Sequence, residues 1–264
     1  MIKPTSIEGK PLVSIITPLY NAAPFIAQTI ASIKAQTYEH WEQIIVDDCS
    51  TDDSVSLVHT LIAHDDRIKL ITLSQNSGAA HTRNIATNAA QGAFIAFLDA
   101  DDLWHPEKLA KQISFMQETG CDVSYTSYVH INEEGKTLRK RVIALPSLTY
   151  KKQHSNNYIG NLTGIYSTAS LGKISAPEVR KRQDWAVWLE AIKKSGKPAL
   201  GLQEDLAFYR VRDGSMSSNK LNLVTYNYQF YSLCLGYSRV TAAWFLFRFF
   251  WEYFIHRPKW IERY

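Results

Sequence analysis

Two acidic clusters are the first places where this sequence could do chemistry. In Leu98-Asp99-Ala100-Asp101-Asp102, the carboxylates of Asp99 and Asp101 are two residues apart. In extended chain such residues point the same way, so both can converge on one point. Like charges that close repel unless a cation neutralises them, and hard oxygens suit Mg²⁺ or Mn²⁺, with phosphate oxygens and water completing the shell. The second cluster is Asp47-Asp48-Cys49-Ser50-Thr51-Asp52-Asp53. Ser50 or Thr51 can cap a following helix, and Asp52 and Asp53 suit the positive end of its dipole. Asp47 and Asp48 lie ahead of that cap, where a carboxylate can accept a hydrogen bond from a base or ribose.

Both clusters follow short apolar runs that alternate with helical patterns. Strands are expected at Leu12–Ile16, Gln43–Val46, Ile68–Leu73 and Ala93–Leu98, with helices over Phe25–Gln36, Asp53–Ala63 and Ala79–Ala90. This alternation means βαβ units and a parallel sheet, with the ligand site at the carboxyl ends of the strands. A helix over Pro106–Thr119 leads to Asp122–Ile131, where Val123, Tyr125, Val129 and Ile131 alternate with polar residues. With a turn at Asn132-Glu133-Glu134-Gly135, the stretch reads as a hairpin with one wet face. Residues 146–183 read as an irregular, mobile loop system over a site. A helix over Asp184–Lys194, a strand at Ala199–Tyr209 and two terminal helices over 221–237 and 239–256 complete the expected order.

Several nucleotide chemistries are excluded by what is missing. The 12 glycines contain no GxG pair, so the dinucleotide fingerprint is absent, and no GxxxxGK phosphate loop occurs. A nucleotidyltransferase normally shows a Gly-rich loop near its first strand; Thr17-Pro18-Leu19-Tyr20-Asn21 occupies that place. No recognisable DNA- or RNA-binding module is present.

Four motifs in order carry a family resemblance: Ser14 to Asn21, Val46 to Asp52, Asn76-Ser77-Gly78 with Arg83-Asn84, and Asp99-Ala100-Asp101. Together they closely resemble the family 2 glycosyltransferases of the GT-A fold, inverting enzymes that use nucleotide sugars. The match is dense over residues 11–105. A thinner match runs through Arg182-Gln183-Asp184-Trp185, Trp188-Leu189, Tyr209-Arg210 and Ser215-Met216-Ser217-Ser218-Asn219-Lys220. That part is similar to the branch building lipopolysaccharide and other surface polysaccharides. The resemblance implies an α/β GT-A fold with a mostly parallel central sheet flanked by helices, an added hairpin and C-terminal helices. By it, Pro18, Tyr20 and one or both of Asp47 and Asp48 hold the base and ribose, and Arg83 lies near the nucleotide. Asp99 and Asp101 would hold Mn²⁺ or Mg²⁺ on the pyrophosphate.

Asp184 takes the place of the family's catalytic base, where Glu-Asp is commoner than the Gln183-Asp184 found here; its plain alternative is a helix N-cap. Many members carry a histidine where this chain has Arg212. Arginine cannot ligate a cation, so Arg212 is expected to pair with phosphate oxygens. The implied reaction moves a sugar from a nucleotide diphosphate sugar, UDP-linked by expectation, to a hydroxyl of a glycan or lipid-linked acceptor. A non-catalytic nucleotide-sugar-binding subunit would have lost the metal carboxylates or the base, and all are present.

Bulk properties set the surroundings. The chain has 264 residues, 45% of them hydrophobic and 20% charged, enough for a substantial core. Its net charge of +4 hides an asymmetry: residues 1–135 hold 8 basic against 17 acidic residues, and residues 136–264 hold 21 against 8. A basic half suggests an anionic partner, either a membrane surface or phosphates. Three widely spaced cysteines suit a reducing compartment, and Met1–Lys10 has no apolar core of a signal peptide. The expected organisation is a catalytic domain over 1–220, divided into a nucleotide half (11–105) and an acceptor half (106–220), then a helical segment over 221–264. In residues 240–255 only Thr241, Arg248 and Glu252 are polar, and they share one stripe of a helical wheel. With Arg257, Lys259, Trp260 and Arg263 following, the segment is expected to bring a cytoplasmic enzyme peripherally to an anionic membrane surface; its plain alternative is a helix packed on the catalytic core or on another subunit.

Overall fold

A computed structural model describes residues 9–179, 181–212 and 220–264, the side chains of 220–223 excepted. The expectations for Met1–Glu8 and for Ser215-Met216-Ser217-Ser218-Asn219 lie outside the described residues. Four strands, β1 (Val13–Leu19), β2 (Trp41–Asp47), β3 (Ile68–Thr72) and β4 (Phe94–Phe97), run parallel in the order β3-β2-β1-β4. Ile16 stands opposite Ile44 on one side and Phe97 on the other. The helices α1 (Ile26–Lys34), α2 (Ser54–Ile62) and α3 (Ala79–Ala89) connect them. Continuous apolar strands are what a sheet covered on both faces requires. One core layer holds Ile16, Val46, Phe97 and Trp188, the other Ile15, Ile30, Ile45 and Ile113.

The second half adds β5 (Leu103–Trp104), α4 (Lys108–Thr119), β6 (Val123–Ile131), β7 (Thr137–Val142), β8 (Ser147–Leu148), α5 (Tyr150–Ser155), β9 (Ile165–Ser167), α6 (Thr168–Leu171), α7 (Gln183–Ser195) and β10 (Ala199–Arg210). Two expectations need correcting here. The hairpin strand β6 has no wet face: all its residues are buried or half-buried, and it lies inside the sheet, with β10 on one edge and β7 and β9 on the other. Two of its buried serines have internal partners instead of water: Ser127 Oγ accepts from the Ala144 amide at 3.0 Å, and Ser124 Oγ from Gln112 at 3.4 Å.

Residues 146–183 are a loop system only in part. Within them β9 runs antiparallel between β4 and β6 and joins the two halves of the sheet. Three residues are too few for a periodic signal. Gly164 precedes this strand, where an added Cβ would stand 2.3 Å from the Trp188 ring.

The chain ends in α8 (Lys220–Gln229), α9 (Arg239–Trp251) and β11 (Ile261–Arg263), with π-helical turns over 230–234 and 252–256. The stack of Trp185 on Phe230, 3.9 Å between centroids, docks the π-helical turn after α8 onto α7, and Ala242 and Phe249 bury one side of α9 there. Two members of the polar stripe turn inward: Arg248 reaches Ser155 Oγ at 3.5 Å, and buried Glu252, just past α9, meets Tyr158 and Lys152, while Thr241 stays exposed beside Ser238. Outward lie Val240, Trp244, Phe247, Trp251 and Phe254, 57–82% exposed, on one helical face. β11, unexpected from the sequence, pairs antiparallel with β7 and puts Arg263 opposite Lys140. Among the described residues no helix is long and apolar enough to cross a membrane.

Candidate active site

The loops at the carboxyl ends of β1, β2 and β4 meet above the sheet. At β1, Pro18 is half-buried, the Tyr20 ring is 51% exposed, and Asn21 adopts φ 46°. The β2 loop is tied to it: Asn21 N donates to Ser50 Oγ at 3.0 Å and Thr51 N to Asn21 Oδ1 at 2.8 Å. Ser50 and Thr51 therefore do not cap α2, since the neighbouring loop uses them. Asp52 instead accepts from the amides of Ser54 and Ala23, each at 3.0 Å.

Asp47 and Asp48 are both buried, and backbone amides satisfy both carboxylates. Asp47 accepts from Ser50 N at 3.1 Å. Asp48 takes Ser77 N at 2.7 Å and Gly78 N at 2.8 Å, which pins the start of α3 to the end of β2. Gly78 sits at φ 88°, in the left-handed region that favours glycine.

Asp99 and Asp101 come together by a different route from the expected one. β4 stops at Phe97, and Asp99 to Asp102 form a turn closed by Asp102 N on Asp99 O at 3.1 Å, so strand periodicity does not align the pair. Each carboxylate has its own guanidinium. Arg83 donates to Asp99 Oδ1 at 2.7 Å, and Arg212 Nε to Asp101 Oδ2 at 2.8 Å. Arg212 is thus paired with a carboxylate here, and it also lies 5.3 Å from the Phe25 ring centre. Asp99 Oδ2 and Asp101 Oδ1 have no hydrogen-bond partner among the described residues. Burial and the neighbouring Asp99 charge raise the Asp101 carboxyl above its ordinary range, with Arg212 opposing them. Two such carboxylates, each with an oxygen to spare, fit a hard divalent cation.

Asp102 and Arg210 form the floor. Buried Asp102 accepts from Arg210 N at 2.8 Å, and its carboxyl is pushed well up by burial, then by Asp101 and Asp99. The Arg210 guanidinium donates to the carbonyls of Asp101, Asn132 and Glu133 and to Gln28 Oε1. It clamps the acidic turn to the hairpin and to α1.

Arg83 links this turn to α7. Its second arm donates to Gln183 Oε1 at 2.9 Å, and Gln183 Nε2 donates to Val179 O at 2.7 Å. Burial opposes the charge of Arg83, but Asp99, and beyond it Asp184 and Asp101, hold its pKa above the ordinary value. Asp184, the next residue, is not the N-cap of α7: Arg182 is, in the left-handed conformation at φ 69°. Asp184 Oδ2 accepts from Asn157 Nδ2 at 2.8 Å, and Oδ1 has no partner among the described residues. The sequence reading missed Asn157, Asn161, which reaches Asp99 at 3.3 Å, and the bridging amide of Gln183. Amides in an aperiodic stretch carry no signal of their own.

Comparison with known proteins places this arrangement. The family model described as "Glycosyl transferase family 2" matches residues 14–178. A Bacillus subtilis protein named as a teichuronic acid biosynthesis glycosyltransferase, TuaG, is 46% identical over 211 residues, covering 80% of this chain and 83% of that one. The Escherichia coli UDP-Glc:α-D-GlcNAc-diphosphoundecaprenol β-1,3-glucosyltransferase WfgD is 39% identical over 209 residues, covering 79% and 81%. In fold, the chain is similar to Staphylococcus aureus TarS 1–349 solved with UDP-GlcNAc: TM-score 0.71 and 23% identity, covering 94% of this chain and 74% of that one. A Pyrobaculum calidifontis mannosyltransferase solved with GDP-Man and Mn²⁺ gives a TM-score of 0.66 at 18% identity, covering 92% and 74%. On its motifs, its GT-A sheet and these relatives, the chain belongs to glycosyl transferase family 2 and is a glycosyltransferase.

Proposed function

We propose that this enzyme transfers a hexose-type sugar, with inversion, from a UDP-sugar to a hydroxyl of a lipid-linked, diphosphate-bearing glycan at the cytoplasmic face of a membrane. The observation that carries the reading is the linkage Asp99–Arg83–Gln183, with Asp184 next in sequence. It joins a cation-seeking acidic turn to a half-exposed carboxylate. The acceptor class follows the relatives' names, and the fold neighbours include proteins solved with UDP-sugar or with GDP-sugar and Mn²⁺.

In this reading Pro18, Tyr20, Asp47 and Asp48 form the base and ribose side, the two aspartates through the loops they shape. Asp99 and Asp101 would hold Mn²⁺ or Mg²⁺, which when bound neutralises charge on the departing diphosphate. Arg83 and Arg212 start on Asp99 and Asp101 and are free to turn to phosphate oxygens once those carboxylates have a cation. Asp184 Oδ1 takes the proton of the attacking hydroxyl, a contribution of ~10²–10⁴-fold, while Asn157 holds Oδ2. Residues 221–264 would form the membrane-associating module, supported by the exposed apolar face of α9, by exposed Arg239 at its first position and by exposed Lys259 and Arg263 beyond its end. A nucleotide-sugar panel read as donor hydrolysis tests the reading without an acceptor. Turnover of a UDP-sugar with Mn²⁺ is expected, lost in excess chelator and in Asp101→Ala; full activity in chelator would overturn the metal role.

A further inference from the structure

Two guanidiniums beside Asp184 have no carboxylate partner among the described residues. Arg182, at the left-handed position preceding α7, is largely buried, and its Nε has no hydrogen bond among the described residues. Arg257, just beyond the π-helical turn that follows α9, donates to Asn157 O at 2.5 Å, lies near Tyr128 and stands 4.8 Å from the Tyr158 ring centre. Neither stands within ion-pair distance of an acidic side chain among the described residues. Burial pushes the Arg182 guanidinium below its ordinary value, Asp184 pulls it back up, and the like charge of Arg257 pushes it down again. Two partly desolvated cations that repel each other are costly unless an anion joins them. The planar fork of a guanidinium fits phosphate oxygens in pairs.

The surroundings say which anion. On one side lies Asp184, held through the same Asn157 whose carbonyl Arg257 grips. On the other, Tyr253, Phe254 and Ile255, separated from Arg257 by His256, stand exposed and extend the apolar surface beyond α9. Apolar surface, paired cations and the carboxylate thus follow one another in the order of tail, diphosphate and sugar hydroxyl in a lipid-linked acceptor. We propose that Arg182 and Arg257 bind the diphosphate of that acceptor and so present its hydroxyl to Asp184. The inference rests on the lipid-diphosphate acceptor reading above and adds to it the residues that recognise the charge.

The donor also carries a diphosphate, so the test fills the donor site first. Binding of farnesyl diphosphate and of farnesol is measured with saturating UDP present, for the wild type, Arg182→Gln, Arg257→Gln and Arg257→Lys. The wild type should prefer the diphosphate over the alcohol. Each glutamine variant should lose roughly 10- to 100-fold in diphosphate affinity, the range for a hydrogen-bonded charge contact, with UDP affinity, farnesol affinity and Tm unchanged. Arg257→Lys should recover part of the loss. Diphosphate binding untouched by both glutamine substitutions would defeat the assignment of the arginines alone. A fall in UDP affinity would transfer them to the donor site and overturn the proposal. A wild type that binds farnesyl diphosphate no better than farnesol would defeat the acceptor reading itself.

Discussion

Asp184 has one carboxylate oxygen on the Asn157 amide and the other without a partner among the described residues, the state a proton acceptor needs. Asp184→Asn keeps its shape but cannot take a proton. Transfer should fall by ~10²-fold or more with UDP affinity nearly unchanged, as single-turnover kinetics and UDP titration would show. Lost UDP binding with intact chemistry would make Asp184 a structural residue. The acidic residues of the site were legible because carboxylates placed at the ends of apolar runs stand out in any reading of the chain. What could not be read was how each is occupied. The two amides that fasten Asp48 belong to Ser77 and Gly78, nearly thirty positions on, and Asp101 finds Arg212 across the sheet. Such pairings depend on the strand order and not on spacing.

Elements were legible where length or periodicity made them so: the four parallel strands and their helices lie where the apolar runs put them. β9 and β11 have three residues each and no periodicity, so only the unpaired edges they fill explain them. The approach to β9 offers a sharp test. Gly164→Ala would drive a methyl group into the Trp188 ring, an overpacking cost of about 1–3 kcal/mol, read as a lowered Tm in thermal unfolding. An unchanged Tm would mean that Trp188 has room to move. For α9, Trp244→Ser with Phe247→Ser removes two outward rings and touches no buried contact described for this helix. The wild type should sediment with phosphatidylglycerol-containing vesicles and the double variant should remain in solution with the same Tm. Equal sedimentation would remove the membrane role from this face.

Across the whole molecule, the C-terminal helices are fastened by groups that dislike acid. Burial, then Arg248, pushes His154 down to about 4, and it sits among Tyr150, Tyr231, Tyr237 and Phe245. His130, buried in β6, is likewise pushed to about 4, by burial and then by Lys140. Between the ordinary histidine value near 6.5 and about 4, the unfolded chain binds protons that the folded chain refuses, so stability drops as pH falls through that window. Melting curves from pH 7 to pH 4 should show the decline, and His154→Phe should flatten it; an identical slope would exonerate His154. The same long-range view gives β9 a second significance. Ile165 lies opposite Ala96 on one side and Ser124 on the other, so the two parts of the sheet hydrogen-bond to each other only through this strand among the described residues. Until it docks, a growing or refolding chain presents two open strand edges, each able to recruit another chain. Closing them requires contacts across about forty and seventy positions, the kind that slow folding. The yield of active protein from a cell would then be governed by how quickly three residues find their slot, and cooler, slower synthesis would favour them over aggregation.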